Sequence, residues 1–127
     1  MSEGDDPAVA TRPGGRTYHL APEPVWEAQR DGGVYRPETY AEDGFIHCTD
    51  GEVNLLAVAN LFYQADKRPH VVLVIDPTRI EAPVRYEDAE RIYPHIYGHL
   101  NVDAVVEVRR AVRLADGSFA GIEDAGA

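Results

Sequence analysis

The chain has 127 residues, 44% hydrophobic and 27% charged, which is ordinary globular usage for one domain with a real core. Twelve Lys and Arg against twenty-two Asp and Glu give 12 − 22 = −10, which speaks against nucleic acid or an anionic membrane as a general partner, because both need a basic footprint. The lone cysteine, Cys48, excludes an internal disulfide and a Cys-rich zinc site, and no apolar run reaches the ~20 residues of a membrane span.

Residues 1–15 are acidic, then Pro/Gly-rich, and read as a flexible N-terminal segment without the apolar stretch of a secretory signal. The expected location is therefore cytoplasmic. Residues 120–127 read as a flexible C-terminal tail, which leaves one domain over 16–119. Thr17 to Leu20 predicts a short strand. Pro22 and Pro24 open a helix, since a first turn tolerates the missing N–H, and Gly32-Gly33 closes it. Tyr35 to Asp43 is aromatic and irregular, a loop with at most one helical turn. Gly44 to Cys48 predicts the next strand. Thr49-Asp50-Gly51-Glu52 has the spacing of a capping box and starts a helix whose apolar positions, Val53 to Tyr63, follow a 3.6-residue period.

Val71 to Ile75 is β-branched and continuously apolar, the pattern of a central strand covered on both faces. Val84 to Glu87 predicts a shorter strand. Arg91 to Leu100 is dense in His and Tyr and broken by Pro94 and Gly98. Ala104 to Val112 alternates, and Asp116-Gly117 is a turn leading to a short strand near Phe119. Two early helices followed by several strands imply an α+β fold with mixed or antiparallel pairing and two main helices.

Histidine and tyrosine concentrate at Tyr18-His19, at Phe45 to Thr49 and at Tyr93 to His99. Histidine titrates near neutral pH and both donates and accepts, which suits acid–base work or ligand binding. The plain alternative for His19 is a strand residue with a satisfied hydrogen bond. His47 lies just before a helix start, where free N–H groups attract phosphate. A zinc site from His19, His47 and His95 is conceivable as three ligands plus water, although no local spacing requires it. Cys48 falls on the strand face opposite His47 and reads as a small buried hydrophobe. Glu87 is a strand-end acid able to bind ribose hydroxyls or stabilise positive charge, or simply a solvated residue. Arg85, two positions earlier, shares its face and can hold an anion. Tyr40 and Tyr97 lie in irregular segments that often line pockets.

Taken together, Tyr18-His19-Leu20, Trp26, Gly44-Phe45-Ile46-His47-Cys48-Thr49 and Pro94-His95-Ile96-Tyr97-Gly98 resemble the small bacterial DUF952 family, over roughly Thr17 to Phe119. That family looks related in fold to ADP-ribosyltransferases and RNA 2′-phosphotransferases. The resemblance implies a split β-sheet with a cleft for NAD or an ADP-ribose-type nucleotide. It matches His19 to a first-strand residue that holds the ADP-ribosyl part and His47 to one that contacts the reacting ribose. Glu87 is the candidate third catalytic residue. Tyr18, Tyr40 or Tyr97 would stack on the ligand, with Thr49, Arg85 and His95 around it. The expected function is ADP-ribosyl transfer from NAD, with a small-molecule nucleotide as partner and no metal required. The rivals are a non-catalytic nucleotide-binding domain and a His-ligated metal hydrolase.

Overall fold

A computed structural model describes residues 15–124. Its centre is the β-branched run: strand β5 (His70–Ile75) is buried at all six positions. It pairs on one side with β1 (Thr17–Pro22) and on the other with β9 (Val105–Arg113). Short β4 (Thr49–Asp50) and β10 (Phe119–Asp124) complete a five-stranded sheet of order β10-β9-β5-β1-β4. Every pairing is antiparallel. Successive residues of β5 point to opposite faces and so feed two cores. Val71, Leu73 and Ile75 pack with Trp26, Tyr35 and Ile46, whereas Val72 packs with Leu20, Leu55 and Phe119.

Helix α1 (Glu23–Gln29) supplies Trp26 to the first core, with proline in its first turn as expected. Helix α3 (Glu52–Phe62) supplies Leu55 and Ala59 to the second. Two smaller antiparallel sheets stand apart from the large one. One joins β2 (Val34–Tyr35) to β8 (Leu100–Asn101). The other has the order β3-β7-β6, from β3 (Ile46–His47), β7 (Pro94–Ile96) and β6 (Val84–Tyr86). The α+β class holds, with antiparallel pairing throughout the described residues.

Several local expectations change. The Gly44–Cys48 strand is split. Ile46 and His47 belong to the three-stranded sheet, Thr49 and Asp50 to the five-stranded one, and Cys48 bridges them by donating its N–H to the Pro94 carbonyl. The capping box does not form, because Thr49 is drawn into register with Tyr18 of β1. Gly51 takes the N-cap position of α3 instead, at a φ of 89° that disfavours other residues. The chain also remains folded past Phe119. β10 runs to Asp124 against β9, so the tail expected from residue 120 is a strand over most of its length. Residues 1–14 and 125–127 lie outside the described residues.

Candidate functional site

Strand alternation gathers six side chains on one face of the three-stranded sheet. Each strand, extended to its flanking residue, contributes an i, i+2 pair: Phe45 and His47, His95 and Tyr97, Arg85 and Glu87. The register aligns them across the sheet, with His47 opposite His95 and His95 opposite Arg85. The imidazoles of His47 and His95 meet edge to face with centroids 5.2 Å apart. Phe45 stacks on His95 at 4.1 Å and tilts against His47 at 4.6 Å. The Arg85 guanidinium lies 5.0 Å from the centre of the Tyr97 ring.

Each imidazole has its own carboxylate. His47 Nε2–H donates to Asp43 Oδ2 at 3.0 Å, and His95 Nδ1–H donates to Glu87 Oε1 at 3.0 Å. The Tyr97 hydroxyl donates to the same Glu87 oxygen. These two bonds, the tyrosine's first, hold the Glu87 carboxyl below its ordinary pKa, so it is ionised at neutral pH. Asp43 ends the short helix α2 (Tyr40–Asp43), which Gly44 closes at a φ of 77°. That left-handed turn places Asp43 and Phe45 on either side of the entry into β3.

A cleft of about 700 Å³ opens between this face and α3. That lies within the range of ligand pockets, roughly 300–1,000 Å³. His47, His95, Glu87 and Asp88 line the polar side, and Ala57, Leu61 and Phe62 line the apolar side. Leu61 and Phe62 are 74% and 70% exposed, although the helical period reads Phe62 as core. Periodicity identifies an apolar stripe and is silent on whether protein or ligand covers it. Cys48 sits beneath the cleft, and burial pushes its thiol pKa up, which suits a buried hydrophobe and not a nucleophile.

His19 does not enter this cleft. It is 6% exposed in β1, and both ring nitrogens are occupied. Nδ1–H donates to the His47 carbonyl at 2.7 Å, and Nε2 accepts from the Tyr35 hydroxyl at 2.8 Å. Burial lowers its pKa from 6.5 to about 4, so the ring is neutral. Residue alternation along β1 leaves His19 facing the first core, where Tyr35 and Trp26 contact one another edge-on at 5.8 Å. The three-histidine zinc site therefore does not form, since His19 has no nitrogen to give. The buried pair is testable: Tyr35→Phe should cost about 1–3 kcal/mol, the penalty for an orphaned buried acceptor, read as a lowered urea midpoint.

Of the other expected residues, Thr49 lines the cleft, whereas Tyr97 and Arg85 do not: Tyr97 bonds the cleft residue Glu87, and Arg85 lies against the Tyr97 ring. Tyr18 packs instead against the second core, and Tyr40 against the first, under Arg36. Asp43, Phe45 and the apolar α3 face were not anticipated. The spacing of four between Asp43 and His47 was the available signal, obscured by the Gly44 break. His70 is buried at the start of β5 with its ring against Phe119.

Fold and site together define an α+β protein with a cleft walled by carboxylate-paired imidazoles on one side and an apolar helix on the other. Residues 20–108 match DUF952, described as a protein of unknown function, and the chain belongs to that family. Among solved structures, the crystal structure of protein CC0527 from Caulobacter crescentus is 21% identical with a TM-score of 0.71, over 83% of this chain and 93% of that one. The solution NMR structure of CC0527 gives 20% identity and a TM-score of 0.64, over 87% and 93%. At that identity the likeness establishes the fold alone. No curated protein matches the chain. Among the described residues, no helix is long and apolar enough to cross a membrane.

Proposed function

We propose that the cleft binds NAD or a related ADP-ribose-type nucleotide and that the protein is an ADP-ribosyltransferase-like enzyme acting on the nicotinamide–ribose bond. The observation that carries this reading is Glu87. Its carboxylate is kept ionised by Tyr97 and His95 at the edge of a cleft with an apolar wall. Breaking the bond to nicotinamide leaves positive charge on the ribose, and a fixed carboxylate stabilises charge that develops in the transition state. Asp43 and Asp88 add acidity to the same cleft. Phe62 and Tyr93 offer flat apolar surface for nicotinamide or adenine, the role first expected of Tyr18, Tyr40 or Tyr97. Arg85, whose guanidinium lies against the Tyr97 ring, is the group for the pyrophosphate. His19 acts from behind, as a positioning residue that holds the His47 peptide.

The test is ligand-induced stabilisation with NAD, ADP-ribose and nicotinamide, followed by assay of free nicotinamide. A ligand at a hundredfold its dissociation constant adds about 2.7 kcal/mol, which raises Tm visibly. No shift with any of the three sinks the reading. A shift without nicotinamide release assigns the non-catalytic binding domain instead.

A further inference from the structure

The imidazole nearest α2 carries a feature that nucleotide binding leaves unexplained. His47 is presented as a base would be. We propose that His47, oriented by Asp43, is the general base that takes the proton of the acceptor, and that this acceptor is water or a small alcohol. The inference rests on the glycosidic reading of the cleft and adds to it the second half of the reaction.

The geometry has three parts. First, Nε2–H is committed to Asp43 Oδ2 at 3.0 Å, which fixes the tautomer and leaves Nδ1 as a lone pair. Nδ1 has no partner among the described residues. Second, the residue is held from behind. His19 donates to its carbonyl at 2.7 Å, and Tyr35 in turn bonds His19, so the peptide is pinned to the buried core. Phe45 and His95 brace the ring itself. Third, the ring remains open to the cleft, with 49% of its side chain exposed. A base held by a third group and facing a reacting site is the arrangement that activates weak nucleophiles. His95 differs, because its carboxylate partner also carries the Tyr97 hydroxyl and is the group assigned to the ribosyl cation. The apolar α3 wall opposite suits a small neutral hydroxyl compound.

The bond from ribose C1′ to the pyridinium nitrogen breaks, and its electron pair neutralises nicotinamide. The acceptor oxygen bonds to C1′, and its proton passes to His47 Nδ1. Asp43 compensates the imidazolium charge until the proton leaves to solvent. The products are nicotinamide, an O-linked ADP-ribosyl compound (ADP-ribose itself when water attacks) and one proton.

The experiment follows nicotinamide release and product mass in wild type, His47→Asn and Glu87→Gln, with water alone, added methanol or added azide. Azide is already an anion and attacks without losing a proton. His47→Asn should slow turnover in water about 10²–10⁴-fold. It should keep the thermal shift with ADP-ribose and regain turnover with azide, forming the ribosyl azide. Glu87→Gln should show no azide rescue. Methanol should yield the methyl riboside only while His47 is present. Asp43→Asn should move the pH profile, and Asp43→Glu should restore part of it, which separates positioning from mere support of the fold. His47→Gln repeats the test if the Asn variant does not fold. Unchanged turnover in His47→Asn, loss of its ADP-ribose shift, or failure of azide to rescue it overturns the base assignment while the glycosidic reading stands. Wild type that releases no nicotinamide overturns both.

Discussion

Acidification from pH 7 to pH 4 should remove on the order of 3 kcal/mol of stability through His19 alone, from the gap between its ordinary 6.5 and about 4. The sign follows from which state binds the proton first. The unfolded chain protonates near 6.5 and the folded chain only near 4, so stability falls as pH drops through that window and levels off below it. Burial is the main cause. A protonated ring would also aim an N–H at the Tyr35 hydroxyl, which now donates to it. His70 is shifted down as well, chiefly by burial, and pulls in the same direction. The paired aspartates act at lower pH. Asp66, held at about 2 chiefly by the hydrogen bonds from Arg68, loses its contribution only below its ordinary 3.8. Melting temperatures across pH 4–7 should therefore fall by on the order of 10 °C in wild type. His19→Gln keeps a donor and an acceptor but cannot titrate, so its profile should be flatter. Parallel profiles for the two proteins would remove His19 as the cause.

Glu87→Gln is the second large expectation. It should lower the rate of nicotinamide release about 10²–10³-fold, the usual loss when one preorganised stabilising group is removed. The melting temperature should barely move, because the side chain is about half exposed and makes no core contact. Tyr97→Phe should act in the same direction but less, since the carboxylate remains and only one of its two donors is lost. An amide at position 87 that leaves turnover intact would dismiss the carboxylate from the chemistry. A large fall in Tm would show that it supports the fold instead.

Much of the architecture was legible in the residues. The β-branched run Val71–Ile75 can only be a strand covered on both sides, and it lies at the centre of the large sheet. Pro24 marks the start of α1, and Asp116-Gly117 marks the final hairpin. Alternation also placed Arg85 with Glu87, and Cys48 opposite His47. The site was legible only in part. His47, His95 and Glu87 line the cleft, but nothing local separates an inward His19 from an outward His47, because both sit on short strands beside apolar neighbours. Their difference comes from which sheet each strand joins. At Cys48 the chain leaves one sheet for another, and no residue in Phe45–Thr49 signals that change.

The order of residues thus determined the periodicities: which positions are extended, which are helical, and which side chains share a face. Tertiary structure alone decided what each face meets. Pairing β3 with β7 brings His47 beside His95, and covering β1 from its inner side buries His19 against Tyr35. Such long-range pairings close large loops at a cost that grows only slowly with length, so the burial they achieve selects them. That selection is a property of the whole packed chain, and no window of the sequence displays it.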